Sequence, residues 1–504
     1  VVNDDLVYLS IGELQRLLRA GDLTSLELTR ALIARIEALD RRGPAIRAII
    51  EINPEAEAIA ASLDRERQSG GTRGPLHGIP ILLKDNIDTA DAMETTAGSL
   101  ALLDRKPARD ATVAARLRAA GMVLLGKANM SEWANFRSTK SSSGWSARGG
   151  QALNPYVLDR SPCGSSSGSA TAVAAGFAPA SLGTETAGSI LCPAAFNAVV
   201  GVKPTTGLTS RAGVIPIAHS QDTVGPFARS VADAATVLTT IAGPDERDPA
   251  TSGAPAGIDY AGLIDSGNLR GLRIGLPRNR FFGYSAEADR IAEEAIAALR
   301  DLGAEIVDGA ELPTADQIAD DRPMFQVLLS EFKANLETYL QERGSAISTL
   351  AGLIAFNQEH AGDELVYFGQ EIFEQAAETA GLDDPEYLRA LQTSRQLGGQ
   401  QGIDAAMSEH RLDALLAPSG GPPFSIDHAN GDRFEGGFAA PAAMVGYPAI
   451  SLPAGYIGTL PVGVTLVGRA YAEPMLLRIA HTLEAQLQVW RAPGFLAAET
   501  RETC

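Results

Sequence analysis

The 504-residue chain has only three cysteines, Cys163, Cys192 and Cys504, with no CxxC pair among them. Neither a disulfide framework nor a cysteine zinc site is therefore expected, and Cys163 and Cys192 read as small buried fillers. Basic charge is also scarce: 42 Lys plus Arg stand against 61 Asp plus Glu, for a formal net charge of −19. Nucleic acid and anionic lipid require basic patches, so neither is an expected partner. Long hydrophobic runs are missing as well. The most apolar stretch, near residues 170–182, is too short to span a bilayer and is interrupted by Thr, Gly, Pro and Ser. Val1 is followed by neither a basic nor an apolar leader region, so no signal peptide is read here. The chain reads as soluble, its compartment open between the cytoplasm and export with a signal already removed. The histidines show no metal-ligand spacing. Nothing in the sequence indicates the oligomeric state.

What is present is ordinary globular composition, 45% apolar and 20% charged, with an excess of glycine at 51 residues. Two capping boxes open the chain, Ser10-Ile-Gly-Glu13 and Thr24-Ser-Leu-Glu27, each ahead of an apolar helical stripe. From 74 to 240 short apolar runs alternate with helical segments. Ile79-Pro-Ile-Leu-Leu83 and Met122-Val-Leu-Leu125 read as buried strands, and 111–120 and 169–177 as helices. A further strand, helix and strand are read over 272–277, around Ile291, Ala295 and Leu299, and over 304–307. Residues 314–411 read as a helical layer, and 412–504 as strands and turns with a closing helix. The sequence shows no repeat period and no domain-separating linker. The expectation is one large α/β domain with a mixed, mostly parallel central sheet covered by helices on both faces. Within it, 1–70 carries the N-terminal helices and 74–240 the core.

Three segments carry candidate chemistry. Cys163-Gly-Ser-Ser-Ser-Gly-Ser169 admits several readings. A flexible linker is the usual fate of this composition, yet the segment runs directly into an Ala-rich helix. A phosphate loop fails because no Lys-Ser/Thr follows Gly168. A G-x-S-x-G nucleophile elbow centred on Ser166 matches literally, but needs a preceding strand that Pro162 would break. Gly183-Thr-Glu-Thr-Ala-Gly-Ser-Ile190 is a tight turn whose N–H groups could form an anion nest. Gly74-Pro-Leu-His-Gly-Ile-Pro-Ile-Leu-Leu-Lys-Asp-Asn-Ile87 ends an apolar strand on Lys84. Burial there would lower the amine's pKa and make it a general base. His77, in a Leu-His-Gly turn, reads as structural.

Taken together with Gly201-Val-Lys-Pro-Thr-Thr-Gly207, Ser220-Gln-Asp-Thr-Val-Gly-Pro226, Gly446-Tyr-Pro448 and Leu460-Pro-Val-Gly463, these segments resemble the amidase signature family of serine amidohydrolases. The likeness runs from about residue 14 to the C-terminus and is densest over 74–234. It implies a Ser–Ser–Lys triad, with Ser189 as nucleophile, Ser165 as bridging serine after a cis peptide bond, and Lys84 as base. Ser165 and Ser189 are 24 positions apart, the family's separation. It also implies an oxyanion hole from the N–H groups of Thr186, Ala187, Gly188 and Ser189, and no cofactor. Asn135 could bind the substrate amide or make a structural hydrogen bond. Trp133 and Phe136 read as core more than pocket wall, and Asp222 as a loop-orienting or turn-forming acid.

Two residues depart from the family pattern. Ala187 stands where Gly or Asp is usual, and is strained if the backbone there needs positive φ. Leu191 replaces an Arg that pairs with free carboxylates in many members. The loss of that Arg argues against charged acid amides and against the glutaminase role in tRNA-dependent amidotransferases. The implied activity is hydrolysis of carboxamides to acid and ammonia, resembling the members that remove the C-terminal amide of peptides. A broad aliphatic or aryl amidase, an esterase using Ser166, and a binding protein impaired at Ala187 remain as alternatives.

Overall fold

A computed structural model describes residues 4–264 and 267–498; Cys504 lies outside them. Both capping boxes form. Helix α1 (Ile11–Ala20) starts with Ser10 accepting from Glu13 N while Glu13 accepts from Ser10 N at 2.8 Å. Helix α2 (Ser25–Arg35) repeats the exchange between Thr24 and Glu27. Each cap satisfies N–H groups that the helix itself cannot, which is worth about 1 kcal/mol. The buried stripes Ile11, Leu14, Leu18 and Leu28, Leu32 then fix both helices to the main core.

Among the described residues eleven strands form the central sheet. In chain order they are β1 (Ile49–Ile52), β2 (Pro80–Lys84), β3 (Val123–Ala128), β4 (Ala180–Glu185) and β5 (Val200–Lys203). They continue with β6 (Thr223–Ala228), β7 (Arg273–Leu276), β8 (Glu305–Asp308), β9 (Ala414–Pro418), β10 (Ala449–Ile457) and β11 (Leu460–Val467). Their spatial order is β1-β3-β2-β4-β6-β5-β10-β11-β9-β7-β8. The expected strands and the helices between them are present within a few residues. They include α3 (Thr112–Ala119) and α4 (Ser167–Ala174), and a short helix not read from the sequence, α5 (Leu191–Phe196), follows the Ser189 turn. The sheet is mixed, as expected, but its parallel share is smaller. The parallel neighbours are β3–β2, β2–β4, β9–β7 and β7–β8; the other six pairs are antiparallel. The physical reason is that buried strands read as continuous apolar runs in either direction, so strand sense is not encoded locally.

Helices cover both faces. Along β9, Ala414 and Leu416 enter the main core, while Leu415 and Ala417 enter a second cluster with Phe438 and Met444. Alternate side chains of one strand thus meet apolar partners on opposite sides. The helical layer over 314–411 includes α6 (Arg322–Arg343), whose Phe332, Leu336 and Leu340 pack with Trp133 and Phe136. Among the described residues no helix is long and apolar enough to cross a membrane.

Candidate active site

Lys84 is the last residue of β2, and all five residues of that strand are buried. Its Nζ lies 2.8 Å from Ser165 Oγ and donates to Thr184 Oγ1 at 2.9 Å and to the Thr184 carbonyl at 3.3 Å. Burial strips hydration from the ammonium and lowers the amine's pKa to about 7, against the upward pull of the Asp222 and Glu185 carboxylates. Desolvation wins because neither acid contacts the amine directly.

Ser165 reaches Lys84 from the loop that leads into α4. The Gly164–Ser165 peptide bond is cis. A Cβ on Gly164 would lie 2.2 Å from Ser131 Oγ, so only glycine fits beside that side chain. The neighbouring Ser166 is fully buried, donating to the Thr184 carbonyl at 3.0 Å and accepting from Thr184 N at 3.2 Å. It fastens the loop to β4 and no substrate can reach it, which removes the esterase alternative built on Ser166.

The Ser189 turn follows β4 directly. Glu185 Oε2 accepts from Ile190 N at 2.7 Å and Leu191 N at 3.0 Å, pinning the start of α5. Thr186 Oγ1 donates to Asp222 Oδ1 at 2.6 Å, and Asp222 Oδ2 accepts from Ile217 N and Ala218 N. Asp222 is a buried brace for the turn, its pKa pushed up to about 6 by desolvation. Within the turn, Gly188 takes the positive φ, +82°, and Ala187 does not. The strain considered for Ala187 is therefore absent. Among the described residues the N–H groups of Ala187, Gly188 and Ser189 make no hydrogen bond. The two serine segments are joined by Ser166 N donating to the Ser189 carbonyl at 3.2 Å. No hydrogen bond between the Ser165 and Ser189 hydroxyls is present among the described residues.

Ser189 opens into a cavity of about 350 Å³, walled by Phe136, Leu191, Leu328 and Phe438. Asn135 lines it too, donating to Ser143 Oγ at 3.0 Å through Nδ2 while its buried Oδ1 is left without a partner among the described residues. Trp133 sits in the core, whereas Phe136 serves both core and wall. His77 is structural: its Nε2 lies 3.0 Å from the Leu63 carbonyl and its Nδ1 accepts from Arg73 N. Among the described residues no group of His, Cys, Asp or Glu is arranged to hold a metal.

The expectation for the cysteines is corrected. Cys163 and Cys192 form a disulfide, Cα to Cα 6.0 Å. Sequence spacing hides it because the two meet only when the Ser165 loop packs against α5. Cys163 lies two residues before Ser165 and Cys192 three after Ser189, so the bridge ties both serine segments together. Closing a loop of 29 residues removes unfolded-state entropy worth about 2–4 kcal/mol. The double variant Cys163→Ala, Cys192→Ala is expected to melt well below the parent in a thermal scan; an unchanged Tm would show the bridge to be dispensable.

Sequence reasoning missed two further features. Thr184, the second partner of Lys84, stood in a segment already singled out, but only the fold faces its hydroxyl toward the amine. The loop from Ser419 to Phe438, which forms the outer wall, was announced only by its glycine pairs at 420–421 and 436–437. Two family-like motifs prove to be braces. Lys203 donates to the Tyr447 carbonyl and Thr206 N to that of Gly446, locking the 201–207 and 446–448 motifs together.

A model of the amidase family matches residues 27–477. A probable amidase of Arabidopsis thaliana is 41% identical over 485 residues, covering 94% of this chain and 89% of its own. A glutamyl-tRNA(Gln) amidotransferase component from Symbiobacterium thermophilum is 38% identical over 489 residues, covering 94% and 95%. Among solved structures, native peptide amidase from Stenotrophomonas maltophilia matches with a TM-score of 0.93 at 52% identity, over 96% of this chain and 98% of that one. The chain therefore belongs to the amidase family and is an amidase signature hydrolase.

Proposed function

We propose that this hydrolase removes the C-terminal amide of peptides through Ser189, Ser165 and Lys84. The contact set of Lys84 supports the chemistry. A neutral amine has two N–H bonds and one lone pair. With both N–H groups spent on Thr184 Oγ1 and the Thr184 carbonyl, the lone pair faces the Ser165 hydroxyl. Ser165 gives its proton to Lys84 and takes one from Ser189 as Ser189 attacks the amide carbonyl. Catalytic hydrogen bonds commonly tighten only around bound substrate, which is where the Ser165–Ser189 link forms. The N–H groups of Thr186, Ala187, Gly188 and Ser189 receive the oxyanion, and loss of one such donor typically costs about 10²–10³ in rate. The relay then returns the proton to the amide nitrogen and ammonia leaves. Water, activated by the reverse route, splits the acyl-enzyme.

The substrate reading rests on one observation. Leu191 lines the cavity at the position where the family pattern has an Arg for free carboxylates. An apolar wall there suits an uncharged acyl group such as a peptide. The 52% identity to a peptide amidase favours the same reading, and Asn135, through its Oδ1, is the proposed acceptor for a substrate N–H. The test is ammonia release from neutral peptide amides, free-acid amides and small aryl amides. Peptide amides are expected to lead in kcat/KM by at least about tenfold, the range one good contact set provides. Aryl amides turning over as well or better would make the enzyme a broad amidase, and no ammonia from any amide would favour an impaired binding protein.

A further inference from the structure

The cavity beside Ser189 is lined by apolar, hydroxyl and glycine positions and the Asn135 amide, and among the described residues by one ionisable side chain, Glu435. This residue is held in place. Gly421 N donates to the Glu435 carbonyl at 2.8 Å. Glu435 Oε2 lies 3.0 Å from where a Cβ of Gly421 would be, and Gly421 itself lines the cavity. The carboxylate is thus folded onto the cavity wall, in room left by a missing side chain. The loop carrying it is anchored on both flanks. Asp432 accepts from Ser143 N at 3.0 Å, and the Tyr284 ring occupies the space a Cβ on Gly436 would need.

Glu435 is an exposed residue. The Glu435 side chain makes no hydrogen bond or ion pair among the described residues, and Arg433, two positions earlier, does not line the cavity. Next to it Phe434, also a lining residue, exposes 57% of its surface. A carboxylate and an exposed aromatic ring lining one cavity are the chemistry that receives a cation, through charge pairing and cation–π attraction. Low-dielectric walls, here Phe136, Leu328 and Phe438, focus such a field into the cavity.

We infer that Glu435, with Phe434, is a specificity-determining residue that favours peptide amides carrying a cationic side chain near the amidated end and disfavours acidic ones. The inference rests on the peptide-amide reading above. It deepens that reading: Leu191 removes selection for a carboxylate at the inner wall, and Glu435 adds selection for a cation at the outer one.

The experiment compares kcat/KM at low salt for matched acetyl-dipeptide amides ending in arginine, glutamine or glutamate. The expected order is arginine, glutamine, glutamate, with about tenfold between the extremes, carried mainly in KM and shrinking in 0.5 M salt, where the Debye length falls to a few ångströms. Glu435→Gln is expected to bring the arginine-to-glutamate ratio within about twofold, and Glu435→Lys to invert it. Equal rates for arginine and glutamate amides in the parent enzyme, or a ratio unmoved by Glu435→Gln, would overturn the inference while leaving the peptide-amide reading intact. No ammonia from the glutamine-terminated amide would overturn both. The salt dependence of the parent enzyme tests the point even if a variant folds poorly.

Discussion

Ser189→Ala is expected to lose amide hydrolysis by at least about 10⁴-fold while folding normally. Removal of a serine nucleophile alone costs about 10⁶ in well-studied serine hydrolases, because the remaining relay has nothing to activate. The fold should tolerate the change, since Ser189 Oγ has no hydrogen-bond partner among the described residues and its loss leaves no orphaned group. A fluorophosphonate probe should label the parent at Ser189 and leave the variant unlabelled. Labelling should persist in Ser166→Ala, whose hydroxyl is spent on Thr184. Retained ammonia release by Ser189→Ala would refute the proposed nucleophile.

The second large effect concerns Lys84. Its pKa is lowered from 10.5 to about 7, so the base form dominates above that pH. The rate should fall by about tenfold per pH unit below 7, as expected when one group must be deprotonated. Lys84→Met should remove that limb and lose about 10³-fold or more. A limb near 10 would mean that the amine is not desolvated in the working enzyme. The same shift has a signature in stability. Between about 7 and 10.5 the unfolded chain holds a proton that the folded chain has released, so stability from this group rises with pH across that window and is flat below it. The Tm of the parent relative to Lys84→Met should therefore climb between pH 7 and 10.

Much of this arrangement is legible in the sequence, for physical reasons that differ by residue. The capping boxes are local hydrogen-bond patterns, and both form as read. Lys84 stands out because four apolar residues precede it and strand burial carries it inward. Gly188 could be told from Ala187 only by the backbone, which places positive φ at 188 and spares 187. The cysteine bridge was invisible because neither residue has a spacing pattern, and the meeting of 163 with 192 is a tertiary event. Strand sense was misjudged in weight because burial on both faces erases the alternation that marks an antiparallel strand. The Ser419–Phe438 wall was missed because loop residues carry no periodicity at all.

The sheet order has a consequence for how the protein is made. At the middle of the sheet β5 pairs with β10, Lys203 opposite Ala449, partners 246 positions apart. At translation speeds of about 5–20 residues per second, roughly 12–50 s pass between the synthesis of the two. During that interval the nascent chain holds both proposed catalytic serines and Lys84 yet presents the fully buried β5 as a bare edge. An unpaired apolar edge is a template for aggregation. Expression yield should therefore depend on ribosome pace and holdase chaperones over this stretch.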